Sequence, residues 1–136
     1  MYPEALVKPM KAELTDVGFK ELLTPEAVKE ALTKQGTTLV MINSVCGCAA
    51  GAARPGVKKA VNTGKKPDHL TTVFAGFDTE AVVEVRKHFA PYPPSSPCIA
   101  LFKDGKLVHF LERHHIEGRS ADMISDNLST AFEEYC

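Results

Sequence analysis

Cys46-Gly47-Cys48 is the part of this sequence best equipped for chemistry. A thiolate is the nucleophilic form of cysteine, and two neighbouring thiols can pass a disulfide between themselves and a substrate. The preceding run, Thr38-Leu39-Val40-Met41-Ile42-Asn43, is nearly all apolar and rich in strand formers, while the residues that follow are rich in alanine. The pair therefore sits where a central strand gives way to a helix. Unpaired amides and aligned peptide dipoles at a helix start favour negative sulfur, lowering a thiol from about 8.5 toward roughly 4 to 7. Cys46 is the expected nucleophile. Cys48, deeper in the first turn, is the expected resolving thiol, and Gly47 relaxes the backbone between them. Residues two apart on a helix point about 200° from each other, so closing a disulfide here is expected to distort the turn and store strain. The competing reading is two small cysteines that merely pack in an alanine-rich helix. Position at the strand-to-helix junction argues against it.

Composition narrows the partners. The 136 residues carry 16 Lys and Arg against 17 Asp and Glu, scattered with only short basic doublets such as Lys58-Lys59, so no phosphate-gathering face for nucleic acid is expected. No apolar run approaches the ~20 residues that span a bilayer, and the N-terminus lacks a basic flank leading into a hydrophobic export segment. A cytoplasmic location is expected, where close cysteine pairs are catalytic or metal-binding rather than structural.

The elements that must position the pair can be read around it. Met10, Leu14 and Val17 recur at helical spacing over residues 9–17. Thr24-Pro25-Glu26 starts a second helix, with Gly36 as its stop. The cysteine helix is expected to run to about Asn62, bent where Pro55 lacks an amide donor, with Gly64 ending it. Residues 70–75 form a strand, and Asp78 caps a helix whose Val82, Val85 and Phe89 share a face. Strand, cysteine helix and strand make a right-handed parallel βαβ unit. Asp104-Gly105 joins strands 98–103 and 106–111 in an antiparallel hairpin, and Ser120 opens a last helix carrying Ile124, Leu128, Ala131 and Tyr135.

This order of elements resembles the thioredoxin fold: a three-layer α/β/α sandwich with a mixed sheet, here with an additional N-terminal helical segment. One domain, 1–136, is expected, with residues 1–36 as that segment and 37–136 as βαβ followed by ββα. Pro97, directly before the hairpin, looks like the family's cis-proline. By resemblance Ser96 and Pro97 belong to the site, the proline against the thiols and Ser96 offering backbone bonds to a bound peptide; a merely rigid loop is the alternative.

More narrowly, Asn43-Ser44-Val45-Cys46-Gly47-Cys48-Ala49, Ser95-Ser96-Pro97 and Glu112-Arg113-His114-His115-Ile116-Glu117-Gly118-Arg119 resemble the bacilliredoxins over nearly the whole chain. The resemblance implies removal of bacillithiol from cysteines of client proteins, with bacillithiol as small-thiol co-substrate and no bound cofactor. Protein disulfide isomerase or general disulfide reductase activity is the alternative within that class. The chain departs from ordinary thioredoxins in having no tryptophan, one residue between the cysteines, and Val40 where their buried acid stands. Proton movement is then expected to rely on the helix terminus and solvent, which favours monothiol-style exchange through Cys46. Arg54, Arg113 and Arg119 are candidates to hold the acidic malate portion of such a substrate; solvation or pairing with Glu112 and Glu117 is the weightier reading.

Three further groups admit two readings each. Cys98 is either a third thiol within reach of the pair or a buried strand residue, the second being favoured. Cys136, the last residue, is expected to fray and be dispensable. His114 and His115 with the two cysteines have the donor types of a zinc site, the basis of a metal-binding or delivery module; adjacent imidazoles on an exposed turn are the plainer reading.

Overall fold

The computed structural model describes residues 1–136. Five strands, β1 (Lys20–Glu21), β2 (Thr37–Asn43), β3 (His69–Phe74), β4 (Cys98–Lys103) and β5 (Lys106–Leu111), form one mixed sheet in the order β1-β3-β2-β4-β5. β2 (Thr37–Asn43), all seven of its residues buried, runs through the centre, as its apolar Leu39-Val40-Met41-Ile42 run requires. β3 (His69–Phe74) pairs with it in parallel, and β4 (Cys98–Lys103) pairs with it antiparallel. β5 (Lys106–Leu111) returns along β4 through Asp104 and Gly105, both at positive φ (52° and 81°), the backbone a two-residue hairpin turn demands. The helices are α1 (Glu4–Thr15), α2 (Pro25–Leu32), α3 (Arg54–Val61), α4 (Thr79–Lys87), the single turn α5 (Arg113–Ile116) and α6 (Ala121–Tyr135).

Alternation along β2 divides the core into two layers. Leu39 and Met41 face α3 and α6, with Leu14 of α1 on the same side; Val40 and Ile42 face α2 and α4. Side chains such as Leu39, Ile42, Leu128 and Phe132 are fully or almost fully buried, each contributing on the order of 1.5–3 kcal/mol relative to exposure. α3 meets α6 closely at Gly56, where an added Cβ would lie 2.7 Å from the Ile124 side chain and 2.9 Å from the Ala121 carbonyl. Thr24 and Ser120 cap α2 and α6, accepting from the Ala27 and Met123 amides.

Several expectations are corrected. α1 begins at Glu4 and holds Pro9 in its interior, because Val7 and Leu14 make a buried stripe that spans the proline. α2 ends at Leu32, and Gly36, at φ 86°, instead turns the chain into β2. The N-terminal segment also supplies β1 (Lys20–Glu21), a two-residue parallel edge on β3. The cysteine helix is irregular upstream of Pro55: Ala49–Ala53 form a π-turn, with the Arg54 amide donating to Ala49 O, so the ladder widens before reaching the residue that lacks a donor. Asp78 precedes α4 without capping it through its side chain; its carboxylate accepts from the Phe74 amide and from Lys11.

Candidate active site

The site begins where β2 runs out. Asn43 Oδ1 accepts from the Ser44 amide (2.8 Å) and from Arg54 Nη1 (3.0 Å), while Asn43 Nδ2 donates to Met10 O of α1 (3.2 Å). Arg54 Nη1 also reaches Ser44 O (2.7 Å), and its Nε pairs with Glu13 (3.1 Å). A guanidinium only 2% exposed is thereby satisfied by three oxygens that come from both ends of the cysteine loop's support and from α1. One step on, Ser44 Oγ accepts the Cys46 amide at 3.0 Å. These bonds hold the loop before the nucleophile without any side chain touching the sulfur.

Cys46 is the N-cap of the helix. Its carbonyl accepts from the Ala49 and Ala50 amides, and its Sγ takes the place a capping oxygen would occupy, accepting from the Cys48 amide at 3.4 Å. Because Cys46 stands outside the helical turn, the opposed orientation expected for two helical residues does not arise: the two sulfurs lie 2.6 Å apart as free thiols within hydrogen-bonding reach. The Cys48 thiol, the Cys48 amide, the Arg113 guanidinium and the Ala49 amide together hold Cys46 below the ordinary thiol value, against the opposing effect of burial. Cys48 packs against the layer under α3 and α6. Burial, its bond to Cys46 and the charge there push it up to about 11. The arrangement can present one thiolate to solvent and keep the second sulfur protonated beside it.

The far wall is the loop before β4 together with α5. The Ser96-Pro97 peptide is cis, Pro97 is buried, and Ser96 O faces Arg113 Nη1 at 3.3 Å. A second cis peptide, Ala90-Pro91, lies earlier in the same connection. Glu112 and His115 cap α5 reciprocally: the Glu112 side chain takes the His115 amide, and His115 Nδ1 takes the Glu112 amide at 3.0 Å. Ser95 Oγ accepts the Arg113 amide (3.3 Å), and Arg113 Nη2 reaches Cys46 Sγ at 3.2 Å.

The remaining candidates fall elsewhere. Cys98 is fully buried between α2, α4 and the sheet, in the opposite layer from Cys48, and burial pushes its thiol up to about 12. Cys136 ends α6 beside Thr37, at the opposite end of β2 from Cys46, where burial raises its thiol and a bond to Thr37 opposes the rise. His114 and His115 gather with Glu112, not with the cysteines. Arg54 is committed to internal oxygens, and Arg113 pairs with Glu117 as well as with Cys46. Gly47 has no positive φ and open space where a Cβ would stand, so the loop does not require glycine for backbone relaxation. Sequence reasoning missed the Ser44 and Ser95 contacts and the meeting of Arg113 with Cys46; the Glu112–Arg119 motif was the signal that marked the last.

The chain is similar to known proteins along nearly its whole length. A family model described as Disulphide isomerase matches residues 2–136. A bacilliredoxin of Cytophaga hutchinsonii is 64% identical over 134 residues, 98% of this chain and 99% of that protein. A bacilliredoxin of Halalkalibacterium halodurans is 52% identical over 136 residues, 99% of this chain and 94% of its own length. Among solved structures, mitochondrial thioredoxin 3 from Saccharomyces cerevisiae superposes with a TM-score of 0.60 at 14% identity, covering 90% of this chain and 98% of that one. Thioredoxin O2 from Arabidopsis thaliana gives 0.56 at 15%, covering 86% and 96%. The fold is thioredoxin-like.

Proposed function

The chain belongs to the bacilliredoxin family, and on that footing we propose that it removes bacillithiol from mixed disulfides on cytosolic proteins, with Cys46 attacking and Cys48 resolving. The chain is a thiol oxidoreductase of thioredoxin-like fold. The observation that carries the proposal is the gathering of donors on Cys46 Sγ at the head of its helix. In the first step the Cys46 thiolate attacks the bacillithiol sulfur, the client protein's thiolate leaves, and a Cys46–bacillithiol disulfide forms. In the second, Cys48 loses its proton to solvent and attacks Cys46, releasing bacillithiol and leaving a Cys46–Cys48 disulfide for an external reductant.

The order of these steps follows from the pair's electrostatics. While Cys46 is anionic, its charge and its bond with Cys48 help to hold the second proton in place. Once Cys46 is in a mixed disulfide both influences vanish; burial and the Glu117 charge still oppose ionisation of Cys48, and the Arg113 guanidinium favours it. Cys48 is thus quiet until it is needed. Gly47, Ser96 and Pro97 support the site: Gly47 leaves the sulfur uncovered, and the Ser96-Pro97 turn borders the path of an incoming peptide. The chemistry needs no bound cofactor, the whole of 1–136 acts as one domain, and no membrane or nucleic acid takes part. No helix is long and apolar enough to cross a membrane.

The decisive experiment uses a bacillithiolated client protein. Cys46→Ala is expected to lose exchange entirely. Cys48→Ala is expected to take up bacillithiol and accumulate as an adduct visible by intact mass. Full activity of the Cys46 variant overturns the assignment. The family description favours a second reading, disulfide isomerase, and faster rearrangement of a scrambled disulfide protein than clearance of bacillithiol would establish it. A metal-carrying role loses its motive, because the imidazoles do not converge on the thiols.

A further inference from the structure

We infer that Arg113 is a further catalytic residue of the exchange reaction, its guanidinium holding the Cys46 sulfur in place and accompanying the negative charge as it moves to the leaving group. The inference rests on Cys46 being the attacking thiol. Three contacts of one side chain carry it. Nη2 reaches Cys46 Sγ at 3.2 Å, Nη1 reaches the carbonyl of Ser96 at 3.3 Å, and Nε donates to Glu117. One planar fork thus spans the nucleophile and the cis-proline loop, the two walls between which a disulfide must enter. The backbone beneath the fork is held at both ends, since α5 is a single turn closed by the Glu112–His115 capping box and tied to the proline loop through Ser95 Oγ. The helix is anchored from below by Ile116, fully buried in the core, and its first residue touches the reactive sulfur.

The chemistry needs a cation at this place. In the attack on R–S–S–R′, the Cys46–S–S–R bond forms while the S–S bond to R′ breaks, and its electron pair departs on R′S⁻. Cys46 sulfur is oxidised to the disulfide level, the R′ sulfur is reduced, and R′S⁻ later takes a proton from water. One negative charge is present throughout, but it moves from Cys46 to the leaving sulfur. A half-exposed guanidinium on a long stem can follow that short path, whereas the helix amides and Arg54 are fixed in position. Glu117 holds the same guanidinium through Nε while Nη2 stays on the sulfur. The same charge helps to lower the Cys46 thiol. The groups facing the sulfur are the charged Arg113 and the protonated Cys48 thiol, with the Glu117 carboxylate behind them.

The test reads alkylation of Cys46 by iodoacetamide across pH, and its exchange with the neutral probe bis(2-hydroxyethyl) disulfide. Arg113→Gln is expected to raise the midpoint of the alkylation profile and to slow alkylation below that midpoint about three- to tenfold, the range for one partly solvated charge at contact distance. On the alkaline plateau alkylation is expected to equal or exceed wild type, since a more basic thiolate is the better nucleophile. Disulfide exchange is expected to stay slower on that plateau, because the leaving sulfur lacks its cation. Arg113→Lys is expected to restore part of both. In the unmodified protein, the Arg113 Nε–H nuclear resonance is expected to titrate with the Cys46 midpoint, a measurement that does not depend on any variant folding. A flat Arg113 resonance, or a glutamine profile superimposable on wild type, overturns the inference alone. A wild-type Cys46 no more reactive than an ordinary cysteine overturns the attacking-thiol reading, and this inference with it.

Discussion

Cys46 and Cys98 are near neighbours in the fold and opposites in chemistry. Ile42 pairs with Cys98 across the sheet, and Cys46 follows four residues after Ile42. Cys46 receives a thiol hydrogen, an amide hydrogen and a guanidinium at the solvent-facing end of the strand. Cys98 faces Val40, Ile42 and the apolar sides of α2 and α4, with no exposure. One thiol is pulled below its ordinary value of 9.0 and the other pushed up to about 12. Reactivity is therefore conferred by donors placed around a sulfur and by access to water, and a displacement of one strand end switches both.

The contrast breaks most easily on reactivity. At about neutral pH, iodoacetamide is expected to modify Cys46 at least about a hundredfold faster than Cys98, which must await an opening of the fold. Comparable rates by peptide mass mapping would dissolve the distinction. The next largest effect concerns the scaffold: Arg54→Met is expected to cost about 2 kcal/mol in urea unfolding, because Ser44 O loses its buried donor and Asn43 Oδ1 keeps only the Ser44 amide, while the half-exposed Glu13 rehydrates. The same variant should slow Cys46, since the loop it anchors carries the Ser44 bond to the Cys46 amide.

Stability against pH sharpens the contrast further. Cys46 has a lowered value in the folded state, so between that value and 9.0 the unfolded chain holds more protons, and its contribution to stability grows as pH rises. Cys98 has a raised value, so from 9.0 to about 12 the folded chain holds the extra proton, and stability falls as pH rises. Cys98→Ala should flatten that alkaline decline, at a neutral-pH cost of about 1 kcal/mol for the lost sulfur. Equal alkaline slopes in urea titrations of both proteins would show that Cys98 is wetter than its packing indicates. Smallest is Gly47→Ala, expected to shift stability by less than about 0.5 kcal/mol, because nothing stands within 4 Å of the added methyl.

Much of this frame could be read in advance where the signal is local. Asp104-Gly105, Thr24, Ser120 and the apolar run of β2 act through their own backbone or own periodicity, and each forms what its residues imply. The cysteines at a helix start were equally accessible, whereas the cis bond before Pro97 was expected only from the family resemblance. What escaped depends on partners distant in sequence. Lys20–Glu21 has no strand pattern and becomes β1 only because β3 offers an edge. Arg54 reads as a solvated charge until Asn43, Ser44 and Glu13 surround it. α5 is too short to show periodicity, and its box uses His115 where Glu or Gln would be the recognisable sign. The opposed orientation expected of the cysteine pair assumed both residues to be helical, whereas Cys46 precedes the first helical turn and its sulfur faces that of Cys48.

Gly56 carries a consequence for how this sequence can drift over evolutionary time. Its bare α-carbon sits against Ile124, so the hydrogen there and the branched side chain opposite share one fixed volume. A smaller residue at 124 would not by itself admit an alanine, because the Ala121 carbonyl of α6 closes the same space. Position 56 should accordingly stay glycine whatever stands at 124, since a methyl there would lever the redox helix outward and tilt the thiols it carries.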